Sequence, residues 1–199
     1  DQDTHVCKQI LIRENEKIPL KRQQMPVDFM LLLDTSGSMF RKIDEAKKAC
    51  EALINDMIDF SVHRLGLISF NTSATLLLRL SQNKESMLSK INSIYKPDGT
   101  TNMIDAFDKA EKELSNSTNK KVVIIVTDGE PSTSFEDTLN KANKLRNLGI
   151  RIAAIGISRS VKYSFLQNLA NEGNAYKLNN MIELEDTFRT VIPAIMEKM

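Results

Sequence analysis

The sequence is poor in the residues from which zinc sites and many hydrolase centres are built. Its 199 residues include only two histidines and two cysteines, and these form no Cys/His cluster of the kind that binds zinc. Serine hydroxyls without a neighbouring base lack the activation that nucleophilic catalysis requires. The Gly-x-Ser-x-Gly and Gly-x-x-x-x-Gly-Lys-Ser/Thr motifs are absent as well. We therefore expect that this protein is not an enzyme, and that His63, at the start of a predicted strand, has a structural or surface role.

The sequence has no excess of positive or negative charge, and it has no long apolar run. Lys and Arg number 27 against 26 Asp and Glu, which gives a formal net charge of +1. This balance offers no electrostatic case for binding nucleic acid or an anionic membrane surface. No apolar run approaches the roughly 20 residues that a membrane-spanning helix needs. We expect no nucleic-acid partner and no direct membrane contact within this chain.

The remaining composition is that of one folded domain. Apolar residues make up 41% and charged residues 27%, as in ordinary globular proteins, and no repeat or linker interrupts the chain. We assign residues 1–25 to an N-terminal extension with two short predicted strands, at 9–13 and 18–21, and residues 26–199 to the domain. The chain begins with Asp1 rather than Met. We therefore expect a fragment or processed chain, in which a missing targeting signal carries no information.

Strands and helices are predicted to alternate along the domain. Two continuous apolar runs, at 31–33 and 122–126, are typical of strands buried on both faces. The strands predicted at 63–70 and 74–80 are joined by only three residues, a link that requires an antiparallel pair. The other predicted elements are strands at 151–157 and 175–178 and helices at 41–59, 86–94, 103–114, 135–148, 162–170 and 182–199. This alternation predicts an α/β fold, a Rossmann-like open and mostly parallel sheet with one antiparallel edge strand and helices on both faces.

Side-chain oxygens are concentrated where two predicted strands end. Asp34, Ser36 and Ser38 follow the first strand, and the glycine between the serines lets the backbone turn tightly. The predicted strand with the apolar run at 122–126 leads to Asp128, and Thr101 lies in a loop before a helix. Because the carboxyl ends of neighbouring parallel strands overlook one crevice, we expect these five side chains to meet. Their oxygens suit a hard cation such as Mg²⁺, although a strand followed by an Asp/Ser helix cap is the simpler alternative for the first group.

Three sequence motifs occur together in a characteristic order and spacing. They are Asp34-Thr35-Ser36-Gly37-Ser38, Gly99-Thr100-Thr101-Asn102 and Thr127-Asp128-Gly129. This combination resembles the von Willebrand factor A (vWA) domain, in which it forms the metal-ion-dependent adhesion site (MIDAS). The resemblance covers about residues 26–199. It implies a central sheet ordered 3-2-1-4-5-6 with one antiparallel edge strand.

The resemblance also implies a role for each site residue. Ser36 and Ser38 would bind the metal directly. Thr101 would alternate between direct and water-mediated contact, and Asp34 and Asp128 would act largely through water. Mg²⁺ is the implied cofactor, with Mn²⁺ or Ca²⁺ as substitutes. The neighbouring Thr100, which stands where related loops have a second glycine, is the rival ligand to Thr101.

A metal-dependent protein-interaction module is the function that the resemblance implies. A Glu or Asp carboxylate of a partner protein would complete the metal's coordination shell. The scarcity of cysteine favours a cytoplasmic or prokaryotic vWA protein. One alternative is an extracellular adhesion domain, in which Cys7 and Cys50 would pair. Another is a domain with a vestigial site that binds partners without metal.

Overall fold

The fold is built on a single six-stranded sheet. The computed structural model describes residues 25–199, so the strand pair predicted at 9–13 and 18–21 lies outside the described residues. The strands are β1 (Val27–Asp34), β2 (Arg64–Phe70), β3 (Ala74–Ser81), β4 (Lys120–Thr127), β5 (Ile150–Ile157) and β6 (Ala175–Leu178). Their order is β3-β2-β1-β4-β5-β6. Strands β2 and β3 pair antiparallel, and the other neighbours pair parallel. The predicted sheet order and the antiparallel edge are confirmed.

Strand β1 lies at the centre of the sheet and is buried along its whole length. It pairs with β2 on one side and with β4 on the other. Leu31 and Leu33 belong to the core on one face, whereas Met30 and Leu32 belong to the core on the opposite face. This two-sided burial explains why the strand is a continuous apolar run rather than an alternating one.

Helices cover both faces of the sheet. In the described part of the chain they are α1 (Ile43–Ala52), α2 (Lys84–Asn92), α3 (Met103–Leu114), α4 (Phe135–Asn147), α5 (Tyr163–Leu169) and α6 (Leu184–Glu197). The apolar residues of α1, α2 and α6 pack on one face, and those of α3, α4 and α5 pack on the other. None of the helices in residues 25–199 combines the length and apolarity that crossing a membrane requires.

The single helix predicted at 41–59 is three shorter elements in the structure. A 3₁₀ turn, Gly37–Arg41, precedes α1, and a π turn, Leu53–Met57, follows it. Their apolar residues nevertheless form one buried stripe, comprising Ile43, Ala46, Ala49, Cys50 and Leu53, and the Cys50 thiol is free. Burial, with the charge of Glu51, raises the pKa of Cys50 to about 12, so this thiol is unreactive. Its alternative disulfide partner, Cys7, lies outside the described residues.

Several single residues have clear structural roles in the fold. The side chain of Asn102 caps α3 by accepting the backbone N–H of Asp105 at 3.1 Å. Gly149 follows α4 with a φ of +77°, the left-handed conformation that ends many helices. The buried His63 has a structural role, because its Nδ1 accepts the backbone N–H of Val27 at 3.2 Å.

Candidate metal site

The candidate site lies where β1 and β4 end side by side. The last residue of β1 is Asp34, and β4 ends at Thr127, directly before Asp128. Strand β1 is flanked by β2 and β4, so the chain order reverses direction at this point, where open α/β sheets form their ligand-binding crevice. Both carboxylates are buried, with exposed fractions of 0% for Asp34 and 3% for Asp128.

Short contacts link three of the predicted site residues. The Oγ atoms of Ser36 and Ser38 lie 3.2 Å apart. Ser38 Oγ in turn donates a hydrogen bond of 2.6 Å to Asp128 Oδ1. The turn after β1 and the end of β4 thus present a continuous row of side-chain oxygens.

Asp34 is held by hydrogen bonds to both of its carboxylate oxygens. Oδ1 accepts the backbone N–H of Ser36 at 2.8 Å, and Oδ2 accepts the hydroxyl of Thr127 at 2.6 Å. Burial raises the pKa of Asp34. Hydrogen bonds from Ser36 and Thr127 oppose this effect, the charge of Asp128 adds to it, and the pKa lies above its ordinary value. A cation placed between the two carboxylates would relieve the cost of charging them.

The loop before α3 separates the two candidate threonines. Thr101 is buried, and its Oγ1 lies 3.7 Å from the place that a Cβ would occupy on Gly129. Thr100 is exposed, and its N–H and Oγ1 lie 3.1 and 3.3 Å from the hydroxyl oxygen of Thr72. The structure therefore brings Thr101 to the turn after β4 and directs Thr100 towards Thr72.

Gly99 allows this loop to approach the turn after β1. Its φ is +73°, in the region that favours glycine. Its carbonyl accepts the N–H of Gly37 at 3.1 Å, which joins the loop to the first motif. A Cβ on Gly99 would collide with the hydroxyl oxygen of Thr72. Glycine is therefore required here both by backbone conformation and by space.

We expect Gly99→Ala to destabilise the domain more than Gly149→Ala. Both glycines have a positive φ, so each replacement costs about 1–2 kcal/mol of backbone strain. Only at position 99 does the added methyl group collide, because nothing lies within 4 Å of a Cβ on Gly149. Urea unfolding of the two variants measures the difference. Equal losses would show that the contact with Thr72 does not constrain the loop.

Lys42 is a site residue that the sequence analysis missed. Its Nζ lies 2.5 Å from Asp128 Oδ2 and 3.4 Å from the carbonyl oxygen of Ser38. The only signal in the sequence was its spacing of four residues from Ser38, and a lysine near the start of a predicted helix is common. The Asp128 carboxylate is thus shared between a hydroxyl and an ammonium group, so one of the two buried acids has a cationic neighbour.

The donor set of the site fits a hard cation. Two carboxylates and three hydroxyls, from Asp34, Ser36, Ser38, Thr101 and Asp128, converge on this edge, and Mg²⁺ prefers such oxygen ligands together with water. Within residues 25–199, neither this edge nor any other place gathers three His, Cys, Asp or Glu side chains as a zinc site does. The one described histidine lies at the opposite edge of the sheet, beside the first residue of β1.

Comparison with known sequences gives one family. The sequence model of the von Willebrand factor type A domain matches residues 28–190. Thrombospondin-related anonymous protein of Plasmodium falciparum is 34% identical over 154 residues, which cover 70% of this chain and 27% of that protein. Bovine inter-alpha-trypsin inhibitor heavy chain H4 is 29% identical over 195 residues, covering 86% and 21%. The chain therefore matches only about a quarter of the length of these relatives.

Two solved structures combine this fold with a bound metal in their descriptions. Proximal thread matrix protein 1 from the mussel byssus, with a zinc-occupied MIDAS motif, has a TM-score of 0.77 at 20% identity. The match covers 87% of this chain and 46% of that chain, and at this identity it shows the fold alone. Manganese-loaded TRAP protein of Plasmodium vivax has a TM-score of 0.67 at 28% identity, covering 85% and 74%.

Proposed function

The chain belongs to the von Willebrand factor type A domain family, and on this basis we propose that it is a protein-interaction module whose binding depends on Mg²⁺. The observation that carries the proposal is the row of contacts from Ser36 through Ser38 to Asp128. These contacts gather oxygen ligands from two distant parts of the sequence at the switch point of the sheet. The zinc-occupied MIDAS of one structural neighbour and the manganese-loaded state of another support a divalent cation at this edge.

In this proposal the residues divide into ligands and the groups that hold them. Ser36, Ser38 and Thr101 would bind the cation through their hydroxyls, while Asp34 and Asp128 would orient its waters. Thr127 and the N–H of Ser36 fix both oxygens of Asp34. Ser38 and Lys42 fix the two oxygens of Asp128. Both carboxylates are therefore held in place before a cation binds.

The charges of the site favour an acidic partner. Two carboxylates balance the two positive charges of Mg²⁺, and the Lys42 ammonium lies against one of those carboxylates. Bound Mg²⁺ supplies an electrophilic centre with room for another oxygen ligand. Because the loaded site then carries excess positive charge, it attracts a Glu or Asp side chain of a partner more strongly than a neutral one.

We propose binding rather than catalysis at this site. Activation of Ser36 or Ser38 as a nucleophile would require a base oriented towards it. The described histidine, His63, instead bonds the backbone of Val27 at the opposite edge of the sheet. The names of the relatives reported above describe matrix, adhesion-site and inhibitor-chain proteins rather than enzymes.

Selection of short random peptides displayed on phage tests this function. The chain is immobilised and selections are run in millimolar Mg²⁺ and in EDTA, with Asp128→Ala as the inactive variant and Thr100→Ala as its control. We expect enriched peptides to share an Asp or Glu, to be lost in EDTA and on Asp128→Ala, and to be kept by Thr100→Ala. Recovery of the same peptides in EDTA would instead support a vestigial site that binds without metal.

A further inference from the structure

A cavity opens directly beside the candidate metal site. Its volume is about 490 Å³, and it lies between the turn after β1 and the loops that follow β5 and β6. Arg41, Lys42 and Glu45 line one side, and Arg159 lines the other. Lys42 belongs to both places, because its Nζ also contacts Asp128. A ligand that reaches the metal site therefore passes next to this cavity.

The two arginines of the cavity differ from the other arginines in residues 25–199. The other five guanidinium groups each bond a carboxylate or a backbone carbonyl: Arg64, Arg79, Arg146, Arg151 and Arg189. Arg41 and Arg159 are exposed, and within this part of the chain their guanidinium groups have no hydrogen-bond or ion-pair partner. Two unpaired guanidinium groups thus line one concave surface.

The ionic groups of the cavity leave a positive charge without a counter-ion. Lys42 is paired with Asp128, and Glu45 is the one carboxylate among the lining residues. Glu45 lies one turn along from Arg41, yet within the described residues the two side chains form no ion pair. Guanidinium groups present forked N–H donors that match carboxylate oxygens in pairs. The chemistry of the cavity therefore selects an anionic oxygen group.

We propose that the cavity binds a second acidic side chain of the partner segment whose first acidic side chain reaches the metal site. This inference rests on the proposed function, since the metal site fixes one end of the segment. Charge complementarity with Arg41 and Arg159 defines the second position. Ile182, which is 79% exposed, also lines the cavity. A peptide can cover this apolar side chain, whereas a sulfated glycan would leave it in water.

Replacing the two arginines tests the proposal against a variant with the same charge change. Arg41→Ala/Arg159→Ala removes both guanidinium groups of the cavity. Arg79→Ala/Lys112→Ala removes two exposed cations on β3 and α3, at the other end of the sheet order. We expect peptides selected in Mg²⁺ to carry two acidic positions at a fixed spacing. We further expect their binding to weaken about tenfold in the first variant and to stay unchanged in the second.

Changes in the peptide provide a second test, whose first measurement uses only the unaltered chain. Replacing the second acidic residue by its amide should weaken binding to the unaltered chain about tenfold and have no further effect on Arg41→Ala/Arg159→Ala. Peptides with a single acidic position, or equal losses in both double variants, would overturn the proposal.

Two further outcomes separate this inference from the function on which it rests. Heparin fragments that require both arginines, with no second acidic position among the peptides, would make the occupant a sulfated glycan and the proposal wrong. Peptide binding that resists EDTA but still requires the arginines and the second acidic residue would support the cavity. That result would overturn the metal-dependent function alone.

Discussion

Mg²⁺ should raise the melting temperature of this chain, and Thr101→Ala should abolish the rise whereas Thr100→Ala should keep it. A cation present at about 100 times its dissociation constant stabilises the folded state by about 2.7 kcal/mol. For a domain of this length, that corresponds to roughly 5–10 °C. The two threonines are expected to differ because Thr101 is buried beside the turn after β4, while Thr100 is exposed and bonded to Thr72.

The measurement is a pair of thermal melts for each variant, one in EDTA and one in Mg²⁺. The melt in EDTA records any structural loss caused by the substitution, and the difference between the melts records metal binding alone. Asp128→Ala is the reference for a lost site. Loss of the shift in Thr100→Ala, with the shift kept in Thr101→Ala, would exchange the two assignments. No shift in the unaltered chain at millimolar metal would favour a vestigial site.

Asp28→Ala should destabilise the domain by about 3 kcal/mol, because it leaves the Arg64 guanidinium group and two polar side chains without their common acceptor. Asp28 is completely buried at the start of β1. It accepts hydrogen bonds from Arg64 Nε at 2.8 Å, from Arg64 Nη2 at 2.5 Å, from Asn119 Nδ2 at 3.0 Å and from the hydroxyl of Ser117. The expected loss of stability lies at the low end of the range for broken buried ion pairs, since the Arg64 side chain is 38% exposed.

The control for this substitution is Asp56→Ala. Asp56 pairs with Arg189, but both of these side chains are about half exposed, and such pairs contribute at most about 1 kcal/mol. Urea unfolding of the two variants separates the buried pair from the exposed one. Equal losses would show that the network around Asp28 does not stabilise the sheet.

The same carboxylate should also make stability depend on acid pH. Burial raises the pKa of Asp28, but hydrogen bonds from Arg64, Ser117 and Asn119, with the charge of Arg64, outweigh burial and hold this pKa below its ordinary value. The unfolded chain therefore takes up this proton at a higher pH than the folded chain does. The stabilisation that Asp28 contributes is complete above the pKa of this group in the unfolded chain. It is lost as the pH falls through the folded-state pKa. In urea unfolding measured at several acid pH values, Asp28→Asn should make the free energy of unfolding fall less steeply as the pH is lowered. An unchanged fall would assign the pH dependence to other carboxylates.

The sheet was predictable from the sequence because its signals are local. The apolar runs of β1 and β4 reflect burial on both faces, and the short link after β2 requires an antiparallel partner. One helix was predicted at 41–59, where the structure has the end of a 3₁₀ turn, α1 and a π turn, because these turns can bury the same apolar stripe. What distinguishes them is the hydrogen-bond spacing of the backbone, which the side-chain pattern does not record.

The site was less predictable because its details depend on contacts between distant segments. Thr101 was preferred to its neighbour Thr100 only through the family resemblance. The contact that separates the two in the structure is with Thr72, 28 positions before Thr100. Lys42 reaches Asp128 across 86 positions. Arg41 and Arg159 share a cavity only because the loops after β5 and β6 close around it. A single charged residue in a loop or at the start of a helix does not indicate in the sequence which distant residue it will contact.

The span of the site's hydrogen bonds has a consequence for how the domain folds. Ser38 and Asp128 are 90 positions apart, and Asp34 and Thr127 are 93 apart. Closing so long a loop is entropically costly, and pairings of this kind form late in folding. A chain emerging from the ribosome exposes Asp34, Ser36 and Ser38 well before β4 is synthesised. Because those residues alone make half of the proposed site, we expect cation binding and partner capture only from the finished domain.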